Sequence, residues 1–302
     1  MTYRYRVLGA TQALRPDGTE VSLGGARLRA LLVALAMGGG RPVPTGQLIA
    51  RVWDEDDVPP ADETAALQAL VGRLRRTLGR EAVASVPGGY RLAVERDDID
   101  LFRFERLAAQ GAAALGDGDA GKAAVLLDEA LAQWRGPVPA DLPGRFDGDP
   151  LAVRADRLHV EARRTRLAAE VALGRPEGSL AELAGLAAEE PLDEPLQALR
   201  IRALRAAGRR AEALQAYEDV RQRLAERLGV DPGSELQFLY AELLVEGVAP
   251  APAPRSANTC PGTGSPGRSG RPAPGNLRAR LTSFVGREAL PTTPRATAGG
   301  YT

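Results

Sequence analysis

The chain runs to 302 residues, 44% hydrophobic and 26% charged, with a formal net charge of zero, which is apolar content enough for about two packed domains and excludes wholesale disorder. Its one cysteine, Cys260, excludes an internal disulfide and a cysteine-based zinc site, and its one histidine, His159, excludes a paired-histidine metal centre. No apolar run exceeds Ala30–Met37, far short of the ~20 residues of a membrane span, and the N-terminus has no apolar signal core, so a cytoplasmic protein is expected.

Neutrality hides a division. Residues 1–97 carry +2, residues 98–247 carry −8 and residues 248–302 carry +6. Lys122 is the only lysine among 39 cationic residues, which resembles a GC-rich coding bias and is not by itself a nucleic-acid signal. Placement says more than the total. Arg73, Arg75, Arg76 and Arg80 fall in eight residues with no acid among them, a pattern of either a solvated helix face or a nucleic-acid contact.

Tyr3–Leu8, Gln12–Leu14 and Glu20–Leu23 read as short strands, the last two joined by a turn at Pro16-Asp17-Gly18. Leu28, Leu31, Leu32 and Leu35 recur at i, i+3, i+4, i+7 and predict a helix over 25–37 that Gly38-Gly39-Gly40 stops. Thr45 is expected to cap a second helix burying Leu48, Ile49, Val52 and Trp53. An acidic, proline-containing loop spans 54–61. Asp62 then caps a third helix to about Leu78, ended by Gly79. Val83–Val86 and Tyr90–Val94 alternate as strands around Pro87-Gly88-Gly89. Strands, three helices and a terminal hairpin over residues 1–97 predict a winged helix-turn-helix, an α+β domain whose third helix enters the DNA major groove.

At about 100° per residue, Leu67, Leu70, Val71, Leu74 and Leu78 mark the buried side of that third helix. Ala65, Ala69, Gly72, Arg73 and Arg76 lie opposite, with Gln68 and Arg75 on one flank. Small residues beside arginines suit a helix that comes close to DNA. A guanidinium fork reaches guanine O6/N7 or a phosphate, and Gln68 is placed to read adenine.

Residues 98–246 are helical by pattern, with apolar periodic stretches at about 101–115, 119–134, 150–173, 179–189, 194–207, 211–228 and 234–245. Gly174 and Gly208 each close a helix and lie 34 residues apart, the tetratricopeptide period. A tetratricopeptide-like solenoid, which binds proteins on its concave face, is the expected architecture; a helical spacer bundle is the alternative. Gly116–Ala123 nearly spells a phosphate loop but lacks the magnesium-binding hydroxyl, follows a helix and carries Asp117 and Asp119, so an inter-helix turn is expected. His159 is read as a surface or hydrogen-bonded residue, since no other metal-ligand type clusters with it. Residues 247–275 are a Pro/Gly/Ser linker too poor in apolar residues to fold, and Cys260 within it is read as incidental.

Leu23–Leu32, Leu48–Trp53, Ala66–Leu78 and Val86–Leu92 resemble the DNA-binding half of the SARP family, the antibiotic regulatory proteins of streptomycetes. Asp100–Leu107, Ala130–Gly136, Gly208–Tyr217 and Leu228–Leu236 resemble its bacterial transcriptional activation domain. The resemblance covers about residues 1–246 and implies an OmpR-type winged helix on direct repeats near promoters, recruiting RNA polymerase through its sigma or alpha subunit. It implies DNA contacts from Arg73, Arg75 and Arg76. It assigns Trp53 either to a phosphate or to the core, and Tyr90 either to bracing the wing or to a phosphate. Leu70 and Gly72 stand where relatives are often polar. Asn276–Glu288 resembles the segment that opens the ATPase domain of larger relatives, but no phosphate loop follows, so a truncated remnant, disordered over 247–302, is expected.

The expected product is therefore mostly α: a winged helix (1–97), a helical activation domain (98–246) and a tail (247–302). Its expected function is transcriptional activation, with promoter DNA, RNA polymerase and a second protomer on tandem repeats as partners. No membrane, cofactor or catalysis is expected. The competing classes are a tetratricopeptide-type scaffold without specific DNA binding and an ATP-dependent regulator. Salt-dependent duplex binding separates the first from the activator.

Overall fold

Three short antiparallel strands, Arg4–Arg6 (β1), Gln12–Leu14 (β2) and Glu20–Val21 (β3), open the chain in the order β1-β2-β3. Tyr5, Ala13 and Val21 lie in register across them and are buried, while Arg4, Arg6 and Glu20 face outward, the two-residue alternation of a half-buried sheet. The computed structural model describes residues 3–53 and 60–245. The acidic loop over 54–59 and the whole tail, including Cys260 and the expected ATPase remnant, lie outside the described residues.

Helix α1 (Ala26–Met37) is more deeply buried than its leucine stripe predicts. Leu28 and every residue from Ala30 to Met37 are buried. The run between the leucines is itself alanine, valine and methionine, so from Ala30 onward the helix is apolar on all sides and serves as a central post. Helix α2 (Thr45–Val52) follows the two-residue strand Val43–Pro44 (β4), which the sequence reading did not contain. Thr45 is not the N-cap: it is the first helical residue, and Pro44 takes the cap position without a side-chain bond. The Thr45 main-chain N–H (3.0 Å) and hydroxyl (3.2 Å) instead both donate to the Gly88 carbonyl. Helix α3 (Glu63–Leu78) begins and ends as predicted, with Asp62 accepting from the Ala65 N–H at 2.9 Å and Gly79 at φ 102°.

The hairpin β5 (Val83–Val86) and β6 (Gly89–Leu92) gains β4 as a third strand, in the order β4-β6-β5. Gly89 makes this possible. A Cβ there would lie 2.1 Å from the Val43 carbonyl oxygen, closer than any side chain tolerates, so only glycine lets β4 approach.

Among the described residues seven α-helices follow: α4 (Asp100–Gly116), α5 (Ala120–Leu131), α6 (Pro150–Ala172), α7 (Leu180–Glu189), α8 (Glu194–Ala206), α9 (Arg210–Leu228) and α10 (Ser234–Val245). All but α5 end within one or two residues of the pattern-based bounds. Gly174 and Gly208 both sit at φ 72°, a left-handed conformation that ends α6 and α8 in the same way. Gly116–Ala123 spans the end of α4, an inter-helix turn at 117–119 and the start of α5, which Asp119 caps by accepting from the Lys122 N–H at 2.9 Å. The fold is mostly helical, as expected.

One buried cluster runs from Tyr5 through α1, α3, Phe104 and Leu127 to Ala169, straight across the sequence boundary near residue 97. Asp100 is the main polar joint at that crossing. Its carboxylate is buried and accepts from the main-chain N–H groups of Val7 (2.8 Å) and Leu8 (3.1 Å), with the Arg135 guanidinium 3.3 Å away. Burial pushes the Asp100 pKa up, and these donors pull against the rise.

His159 on α6 stacks on Trp134 with ring centroids 4.1 Å apart and planes 5° from parallel. Burial, then the neighbouring Arg163, hold its pKa below the ordinary 6.5, with Glu182 opposing. The unfolded chain therefore binds this proton more readily. The resulting stability is present above pH 6.5 and is lost as pH falls through the folded value. In His159→Phe, which keeps the stack, the wild type's advantage in melting temperature is expected to shrink between about pH 7.5 and about pH 5.5. A difference that does not change with pH would refute the assignment.

Candidate nucleic-acid interface

Helix α3 divides as its sequence requires. Leu67, Leu70, Val71, Leu74 and Leu78 are buried against α1 and α2. Gln68, Ala69, Arg73 and Arg76 are exposed on the other side. Arg73 and Arg76 make no ion pair among the described residues. Many arginines of the helical region are paired instead. Arg103 pairs with Glu129 (2.5 Å), Arg163 with Glu182 (2.8 Å), Arg164 with Asp193 (2.7 Å), Arg166 with Asp128 (2.7 Å) and Arg202 with Glu235 (2.8 Å). Acids in that region neutralise many of its arginines locally, although Arg157, Arg175 and Arg227 are exposed without an ion pair among the described residues; α3 gathers two such guanidinium groups on one helix face, where they can meet an external anion.

The other predicted contacts are placed differently. Arg75 is half-buried. Its Nε donates to the Val83 carbonyl (2.9 Å) and its Nη2 to the Ser85 hydroxyl (2.9 Å), so it ties α3 to the hairpin. Trp53, 9% exposed, belongs to the core cluster. Tyr90 is half-buried, packs on that core and sits opposite Ser85 in the hairpin and Val43 in β4. The structure thus brings Gln68, Arg73 and Arg76 together on one open face and turns Arg75, Trp53 and Tyr90 toward the scaffold behind it.

Sequence reasoning missed Arg91. It is exposed on β6 and makes no ion pair among the described residues. The available signal was strand alternation, since Arg91 lies between Tyr90 and the buried Leu92. Arg41, just before β4, is likewise exposed and without an ion pair among the described residues.

Two family profiles match the chain: transcriptional regulatory protein, C terminal, over residues 18–92, and bacterial transcriptional activator domain over residues 99–244. Their order and extent, with the relatives below, decide the family. The chain belongs to the SARP family of transcriptional regulators. It is 37% identical over 295 residues to the regulatory protein AfsR of Streptomyces griseus, covering 96% of this chain and 28% of that protein. It is 30% identical over 239 residues to the regulatory protein DnrI of Streptomyces peucetius, covering 76% of this chain and 87% of that one. Among solved structures, Mycobacterium tuberculosis EmbR in complex with a low-affinity phosphopeptide superposes with a TM-score of 0.71 at 35% identity, covering 81% of this chain and 65% of that one. The chain thus spans little more than a quarter of AfsR and most of DnrI.

Proposed function

We propose that this SARP-family regulator is a sequence-specific DNA-binding transcriptional activator that reads duplex DNA with α3. The observation that supports it most is the exposed Gln68/Arg73/Arg76 face, unpaired opposite a fully buried leucine-valine stripe. In this reading α3 lies in the major groove and the β5–β6 hairpin follows the flanking backbone, with Arg91 beside it. The front region, residues 1–97, places the protein on a promoter. The helical region, residues 98–246, contacts RNA polymerase through its sigma or alpha subunit and a second protomer on direct repeats. Two protomers on one DNA face require a repeat spacing of a whole number of ~10.5 bp turns. The similarity to Streptomyces regulators favours a secondary-metabolite gene cluster as the target.

Titrating the full chain onto a duplex enriched from a random pool, across a range of salt, tests the reading. Expected is a log affinity that falls linearly with log salt, because guanidinium–phosphate contacts release counterions. A protein-binding scaffold would show no such duplex binding, and that result would overturn the proposal.

A further inference from the structure

The segment between α5 and α6 carries no long regular element, yet it is packed against the DNA-binding half. Val138, Leu142 and Phe146 are buried in the same core cluster as α1. The main chain is hydrogen-bonded to the β1–β2 turn in both directions, from the Gly9 N–H to the Pro137 carbonyl (3.1 Å) and from the Ala140 N–H to the Gly9 carbonyl (3.0 Å). Asp141 accepts from the Thr11 N–H and hydroxyl at 2.9 and 2.8 Å.

Its far end grips α2. An Arg145 guanidinium nitrogen donates to the carbonyl of Val52, the last residue of that helix. One residue earlier on the same helix, Arg51 pairs with Asp149 at 2.5 Å, with the Asp149 side chain only 8% exposed. Helix C-termini leave carbonyls without intrahelical partners and carry partial negative charge, so a guanidinium there makes a strong, directional bond. Trp53, Arg73 and Arg145 also line one open cleft. The anchor therefore adjoins the recognition helix it would orient.

We propose that Arg145 and Asp149 are positioning residues of the DNA-reading unit. By holding the last turn of α2 they set the angle at which α3 meets the groove, although both belong by sequence to the helical region. The inference rests on α3 being the reading helix. A displacement of about 0.5 Å or 10–20° is enough to spoil a recognition geometry, so the expected loss falls on discrimination more than on non-specific attraction.

The test uses the full chain with two duplexes, one enriched from a random pool by the wild type and one scrambled. Arg145→Met and Asp149→Asn should each lower the specific-to-scrambled affinity ratio by about 2- to 30-fold, with the salt slope unchanged, and Arg145→Lys should restore it. Asp149→Asn keeps the oxygen that caps α6 at the Leu151 N–H (2.9 Å), so it carries the test if Arg145→Met lowers the melting temperature. An unchanged ratio in the Arg145→Met/Asp149→Asn double variant, while Arg73→Ala/Arg76→Ala still loses binding, overturns the proposal. So does a salt slope flattened by about one, which would make Arg145 a direct phosphate contact. Unchanged binding in both sets of variants would remove the α3 reading itself.

Discussion

The Arg73→Ala/Arg76→Ala double variant is expected to lose specific DNA binding while keeping its fold. Both side chains are exposed opposite the buried Leu67/Val71/Leu74 stripe, so their truncation opens no cavity and surface changes of this kind cost little stability. A bidentate base contact is worth about 1–3 kcal/mol of discrimination, roughly 5- to 150-fold for each residue. The two lie one helical turn apart, so their losses need not add. Anisotropy titration against the enriched duplex, beside a thermal melt, measures both halves of the expectation. Affinity retained by the double variant would defeat the assignment of α3 as the reading helix.

Asp100→Ala is expected to be the most damaging single substitution for stability. The carboxylate serves the N–H groups of Val7 and Leu8, in residues with no solvent exposure, and also accepts from the Leu101 N–H at 2.9 Å. Alanine leaves these donors without their acceptor and Arg135 without its buried partner. Arg135, itself 28% exposed, keeps its bonds to the Ala10 carbonyl and Gln12, but each orphaned buried donor costs about 1–3 kcal/mol. Against a typical folding stability of about 5–15 kcal/mol, that is a large fraction. Asp100→Asn keeps one acceptor oxygen and should fall between the two. Urea unfolding of the three chains gives the answer, and an Asp100→Ala midpoint equal to the wild type's would show that the joint contributes nothing.

The two variants probe different layers of one object. Arg73 and Arg76 act at the surface, whereas Asp100 acts where the first strands meet the first long helix. Because the core is continuous from Tyr5 to Ala169, the front of the molecule is stabilised in part by residues that sequence reading assigned to the helical half. The Arg145 and Asp149 anchors extend the same dependence to α2.

Local signals in the sequence were enough for the elements and for the open face of α3. Asp62 and Gly79 bracket that helix through bonds that span only a few residues, and the leucine-valine spacing divides its faces because a helix repeats every 3.6 residues. The glycines 34 residues apart end α6 and α8 because each needs a left-handed turn at that point. Pairings between distant residues were decided by the tertiary structure. Arg75, Arg73 and Arg76 are one residue type in one run, yet Arg75 is consumed by Val83 and Ser85 because β5 folds back beside it. Thr45 looks like a cap until Gly88, 43 residues later, takes its hydroxyl. Arg51 and Asp149 are 98 residues apart. Periodicity and capping depend on neighbours along the chain, whereas the partner of a charged side chain depends on which surfaces the burial of the core brings together.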